Sequence, residues 1–118
     1  MYLNEQQTAK LIGLGFERPR ALVDKYYDYD AEDYKEVNAF SIGELIGLLP
    51  EKVTDKHEHD AILQMTCFNG EWRVKYAGAY DIGLMIAHEL IDALYYMLID
   101  LLENDLIHLK SNGNTKDN

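Results

Sequence analysis

The stretch Leu63-Gln64-Met65-Thr66-Cys67-Phe68-Asn69-Gly70-Glu71-Trp72-Arg73-Val74-Lys75-Tyr76 decides the fold. Asn69-Gly70 is the preferred pair for a two-residue type I′ turn, because both central positions need positive φ. Folding the chain there sets Phe68 opposite Glu71, Cys67 opposite Trp72, Thr66 opposite Arg73, Met65 opposite Val74, Gln64 opposite Lys75 and Leu63 opposite Tyr76. One face then collects Leu63, Met65, Cys67, Trp72, Val74 and Tyr76; the other is polar. A slip of one residue would turn the apolar set outward, so the register is well specified. A two-stranded ribbon alone is marginal in water. Its apolar face needs a cover, which places Trp72 in the core and makes Cys67 an inert, buried thiol beside it.

The cover comes from the apolar segment Ile82 to Leu102. Asp81 is a good N-cap, and the spacing predicts one long helix to about residue 104. Its polar stripe, His88, Glu89, Asp92, Tyr96, Asp100 and Glu103, is narrow. A helix so apolar must be enclosed on most sides, either as the central helix of the fold or in part by another subunit, as a homo-oligomer through residues 82–104. Glu89, Asp92 and Asp100 argue against a membrane span, since each costs about 2.5–3.5 kcal/mol near a bilayer centre.

Upstream, Asn4 with Gln7 forms a capping box for a first helix that ends at Gly15, and Phe16 is placed to pack back on Leu11. Phe40-Ser41-Ile42-Gly43-Glu44-Leu45 holds a second capping box, with Phe40 and Leu45 as its hydrophobic staple, and Pro50 stops that helix. Val53 suits an edge strand. Residues 21–38 read as a short helix or extended piece over 20–27 followed by a surface loop, with a helical turn within Glu32 to Val37. The class is therefore α+β: a small antiparallel sheet around a 61–68/71–77 hairpin, packed against three or more helices. One domain spans 1–110, with a flexible polar tail over 111–118.

The chain has 118 residues, 47% of them apolar, and a formal charge of −10. That apolar share supports a core without staples. The charge disfavours direct nucleic-acid binding and anionic membranes. One cysteine forms no internal disulfide, and the first residues lack a basic, then apolar, leader, so a cytoplasmic setting is expected.

The least routine feature is Asp24 to Glu36, which combines six carboxylates with four tyrosines. Tyrosine supplies contact area at small entropic cost and is enriched at interfaces. Tyr26, Tyr27, Asp28, Tyr29, Asp30, Glu32, Asp33 and Tyr34 are the candidate contact residues for a protein partner; a narrower reading is mimicry of nucleic-acid phosphates. Set against both is a solvated loop with tyrosines on the core edge. The segment imitates the start of a calcium loop, but Asp33 stands where glycine is needed and Ala39 where glutamate is.

Metal chemistry has two weaker candidates. His88-Glu89-Leu90-Ile91-Asp92 resembles the zinc-protease helix motif, with Asp92 in place of the second histidine. His57 and His59 share a face if extended, and with His88 they would make a three-histidine set. A small metal-dependent hydrolase is thus an alternative function. The commoner meanings of these patterns are a polar helix stripe and a solvated connection, so no cofactor is expected.

The order of Leu14-Gly15-Phe16, Phe40-Ser41-Ile42-Gly43-Glu44-Leu45, Leu48-Leu49-Pro50 and Asn69-Gly70-Glu71-Trp72-Arg73-Val74-Lys75-Tyr76, closed by an apolar helix, resembles small proteins carried by bacteriophages and prophage-like elements, including those of gut bacteria. The resemblance implies a bacterial cytoplasm and a mobile-element origin, and it carries over no functional residues. Together these readings lead to a non-enzymatic interaction or accessory protein.

Overall fold

The computed structural model describes residues 1–107. In chain order it contains α1 (Glu5–Gly13), β1 (Leu22–Asp28), β2 (Asp33–Asn38), α2 (Ile42–Leu48), β3 (Lys52–Thr54), β4 (Asp60–Phe68), β5 (Glu71–Gly78), β6 (Ile82–Ala87) and α3 (Leu90–Glu103). The class is α+β. The expected tail at 111–118 lies outside the described residues.

The central hairpin has the register read from the sequence, from Phe68 against Glu71 to Leu63 against Tyr76. Asn69 and Gly70 both adopt positive φ, 53° and 74°, as the turn requires. β3 adds to β4, with Val53 buried opposite Ala61, and β6 adds to β5. The result is a four-stranded antiparallel sheet in the order β3-β4-β5-β6.

One face of this sheet is core. Val74 and Tyr76 are completely buried, and Leu63, Met65, Ile82, Met85 and Ala87 pack beside them. α3 lies across β5 and β6 and is held from behind by α2. The Tyr76 hydroxyl donates to the Pro50 carbonyl at 2.7 Å, so a buried phenol finds a partner at the chain's exit from α2. Burial also pushes its ionisation far upward, which keeps it a neutral donor.

Two expectations about this face need correction. Trp72 is only half-buried and Cys67 is exposed. Both lie on the predicted face and oppose each other at the turn end of the hairpin, outside the packed cluster. The core is centred on Val74 and Tyr76, further along β5.

The long helix is also shorter than its apolar length suggests. Residues 82–87 form β6, and the helix begins only at Leu90. Outward N–H and C=O groups of β5 need partners, and a short apolar run can serve as strand or helix. Gly83 settles the choice. It is the extra residue of a bulge, where Lys75 pairs with Leu84 but Tyr76 pairs with Ile82, and its φ is +66°. Beyond it Met85 and Ala87 face the core while Leu84 and Ile86 face out. The girth of α3 is filled within its own chain: Ile91, Ala93, Leu94, Tyr95, Met97, Leu98 and Leu101 are all buried, with Asp92, Tyr96, Asp100 and Glu103 left toward solvent. Much of the apolar girth behind the expected homo-oligomer through residues 82–104 is thus buried within the chain. Among the described residues no helix is long and apolar enough to cross a membrane.

The second face of the sheet is open. It presents Ile62, Phe68, Leu84 and Ile86 to solvent. Between them lie three ion pairs, Lys52 with Asp60 at 3.7 Å, Arg73 with Glu71 at 3.7 Å and Lys75 with Asp81 at 3.1 Å.

A Cβ on Gly83 would stand 3.2 Å from the Asp100 carboxylate and 3.3 Å from Met97, in a backbone conformation that L side chains resist. Gly83→Ala is expected to lower stability by about 1–3 kcal/mol in urea unfolding. A neutral result would show that the bulge does not set the path into β6.

Candidate functional site

The acidic tyrosine segment is a hairpin: of the two alternatives for 20–27 the extended one holds, as β1, while the surface loop expected after it is a short turn followed by β2. β1 and β2 pair antiparallel, with Lys25 opposite Glu36, Tyr26 opposite Lys35, Tyr27 opposite Tyr34 and Asp28 opposite Asp33. No helical turn occurs within 32–37; only Glu32 leaves extended backbone, at φ 55°, in the connecting turn. Tyrosines at 26, 27 and 34 prefer pleated surface, and that preference outweighs the aspartates because the carboxylates cap the turn instead of interrupting it. Asp28 Oδ1 accepts from the backbone N–H groups of Asp30 and Ala31 at 3.0 and 3.3 Å, and Asp33 Oδ1 from that of Tyr34 at 2.7 Å.

The two strands form a sheet of their own, separate from the four-stranded one. They are fastened at the base. Ala39 N–H donates to the Ala21 carbonyl at 3.1 Å, the Asn38 amide to the Pro19 carbonyl at 3.1 Å, and Arg20 N–H to Glu44 Oε2 at 2.9 Å. Glu44 is the N3 residue of the α2 capping box, so one carboxylate serves a helix start and a hairpin root. Partial burial pushes its pKa up, but the N–H groups of Arg20, Ser41 and Ala21 and the Ser41 hydroxyl more than offset this and hold it below its ordinary value.

Register decides which side chains meet. Lys25, Tyr27, Tyr34 and Glu36 share one face. There the Tyr27 ring packs edge-on against Tyr34 at 5.2 Å and against Tyr29 at 4.9 Å, and the Lys25 ammonium lies 5.1 Å from the Tyr34 centroid. Tyr29, at the turn, is 84% exposed. Tyr26 is on the opposite face, where it lines a groove of about 890 Å³ between the hairpin root and α1. Thr8 also borders this groove, yet its Oγ1 is sealed from it and has no hydrogen-bond partner among the described residues. The eight candidate residues thus divide: Tyr27, Tyr29 and Tyr34 form a ring cluster, Asp30 and Glu32 surround the tip, Asp28 and Asp33 cap turns, and Tyr26 stands apart. The part played by Lys25 was missed in the sequence, although its alternation with Tyr27 would have revealed it once a strand was assigned.

The metal candidates are not brought together. His57 and His59 lie in the β3–β4 turn, with rings 6.0 Å apart, and His59 also packs on Tyr80 at 4.8 Å. Asp55 organises this turn: its Oδ1 accepts from the N–H groups of His57 and His59, and its Oδ2 meets His59 Nδ1 at 3.2 Å. The His59 N–H is the main reason that its carboxyl is held below its ordinary pKa. His88 is at the other end of the sheet, with Nδ1 3.3 Å from the Gly70 carbonyl. The length of β4 separates the two, roughly 27 Å at 3.3 Å per residue. His88 and Glu89 precede α3, so His88 and Asp92 are not one helical turn apart, and Asp92 instead accepts from the Gln7 amide at 3.2 Å. Among the described residues no group of three or more His, Cys, Asp or Glu side chains is placed to hold a metal ion.

No family model, curated protein or solved structure matches the chain.

Because Glu44 has a lowered pKa when folded, its contribution is fully present above its ordinary value and is lost as pH falls through the lowered one. Glu44→Gln should therefore narrow the gap in stability between neutral and acidic pH, and loosen amide-exchange protection in both α2 and the hairpin root. Protection loss confined to α2 would show that the Arg20 contact does not anchor β1.

Proposed function

We propose that the chain is a non-enzymatic docking protein, with the β1–β2 hairpin as its contact element and a basic protein surface as its partner. The observation that carries the reading is the exposed cluster of Tyr27, Tyr29 and Tyr34 beside Asp30, Glu32 and Asp33, carboxylates that join no ion pair among the described residues. Asp28 directly faces Asp33 across the strands, a like-charge pairing that weakens a hairpin. Departures from local stability rules concentrate where function requires them.

Arginine and lysine side chains suit this surface, through carboxylate pairing and stacking on tyrosine faces. In the narrower case the partner is a nucleic-acid-binding protein and the hairpin occupies its phosphate-binding surface. The likeness in motif order to small phage and prophage proteins supports a bacterial cytoplasm as the setting and a mobile element as the source. The hydrolase alternative draws no support from the placement of His57, His59, His88 and Asp92.

The test is affinity capture from lysate of the source cells. It compares the natural chain with a variant carrying Asp30→Asn, Glu32→Gln, Asp33→Asn and Tyr29→Ser, all at exposed positions. A captured basic protein should fall at least about tenfold on the variant, and be released from the natural chain at about 0.5 M salt. Equal capture by both chains would contradict the proposal.

A further inference from the structure

The groove between the hairpin root and α1 carries an inference independent of the hairpin tip. We propose that it binds an extended peptide, which adds as a third strand to the outer edge of β2 with α1 on its other side.

Backbone direction shows that this edge is open. The Ala39 N–H donates to the Ala21 carbonyl across the hairpin at 3.1 Å, whereas the Phe40 carbonyl points the other way and accepts from the Leu3 N–H at 2.9 Å. Backbone groups of successive strand residues face alternate edges. Those of Asn38 and Glu36 therefore face the Leu3 side, and among the described residues no backbone group meets them there. The bulge of the hairpin lies in β1, at Val23, so the alternation runs through β2 uninterrupted.

Tyr2 and Leu3 begin the missing strand. Tyr2 bridges Ser41 in the antiparallel sense, and Leu3 follows on Phe40. Asn4 then caps α1, and the chain leaves the lane. From there the groove is lined by Glu36, Val37, Asn38 and Ala39 on one side and by Glu5, Ala9 and Ile12 on the other. The three α1 residues are spaced as one helix face. Four residues of free edge span roughly 13 Å at 3.3 Å per residue.

These walls identify the occupant. A row of unpaired N–H and C=O groups is complementary to an extended polypeptide, and strand addition is a general mode of peptide recognition. α1 stands across the lane, so a strand already paired on its far edge has no room. The occupant is a lone extended segment and not the edge of another folded sheet. Val23 and Tyr26, 37% and 52% exposed, line the groove with Val37 and Ile12 and suit an apolar side chain at alternate positions. Toward the turn, Asp33, Lys35 and Glu36 are charged, which guards the rest of the edge, while Val37, Asn38 and Ala39 beside α1 are not.

The probe is a blocked hexapeptide alternating valine and lysine, used at about 0.5 M salt, where the attraction of lysine to an acidic chain is screened. Adding it should slow amide exchange at Glu36 and Asn38, saturably. N-methylation of every peptide nitrogen should weaken binding at least about tenfold, since it removes the ladder donors and keeps the charge. Ala9→Phe, at an exposed position, should fill the lane and weaken binding as much, with melting unchanged. The variant carrying Asp30→Asn, Glu32→Gln, Asp33→Asn and Tyr29→Ser should bind the peptide as the natural chain does. Unchanged exchange at Glu36 and Asn38, equal binding of the N-methylated peptide, full binding to Ala9→Phe, or weaker binding to the tip variant would each overturn the proposal. So would protection of the two amides without peptide, which would put the chain's own segment in the lane or, if it rises with protein concentration, a second copy.

Discussion

Tyr76 is the residue on which the rest of the structure depends. It is fully buried on the inner face of β5, and its hydroxyl reaches the Pro50 carbonyl at 2.7 Å. A phenol without that acceptor would lose its hydration for nothing. With it, one side chain joins the middle of the sheet to the end of α2. β3 follows directly from Pro50, so the same contact fixes where the edge strand enters beside β4. α3 then closes over Val74 and Tyr76 with Leu94, Met97, Leu98 and Leu101, all completely buried.

What was legible in the sequence was local or strictly periodic. Both capping boxes close with the partners read from Asn4, Gln7, Ser41 and Glu44, because each needs only residues three apart. The Asn69-Gly70 hairpin was legible to the residue, since turn chemistry and alternation agree on one register. Residues 82–87 were misread because their apolar run fits both periods, and the pull of an unpaired β5 edge is a tertiary effect. Trp72 was misplaced for a related reason: alternation gives the face a side chain occupies, but not how far along the strand the cover extends. Residues 22–38 were obscured by their aspartates, whose role in capping the turn emerges only when the strands are paired.

The site divides in the same way. The choice of Tyr27, Tyr29, Tyr34 and the acids around them came from composition, and the pairing of Tyr27 with Tyr34 on one face, with Asp28 and Asp33 on the other, came from the register. The separation of Tyr26, the stacking of Lys25 and the anchoring by Glu44 depend on which residues oppose each other or on chain segments distant in sequence. The histidine pattern failed for a geometric reason: similar spacing along a chain is meaningful only within one helix or strand, and His88 and Asp92 occupy neither together.

The most direct test of this account is to compare Tyr76→Ala with Trp72→Ala in urea unfolding. Tyr76→Ala is expected to cost about 3–5 kcal/mol or to abolish folding, as truncation of a buried aromatic does. Trp72→Ala, half-buried and outside the packed cluster, should cost less than about half as much. A loss at Trp72 equal to or greater than that at Tyr76 would contradict a core centred on Tyr76 and Pro50.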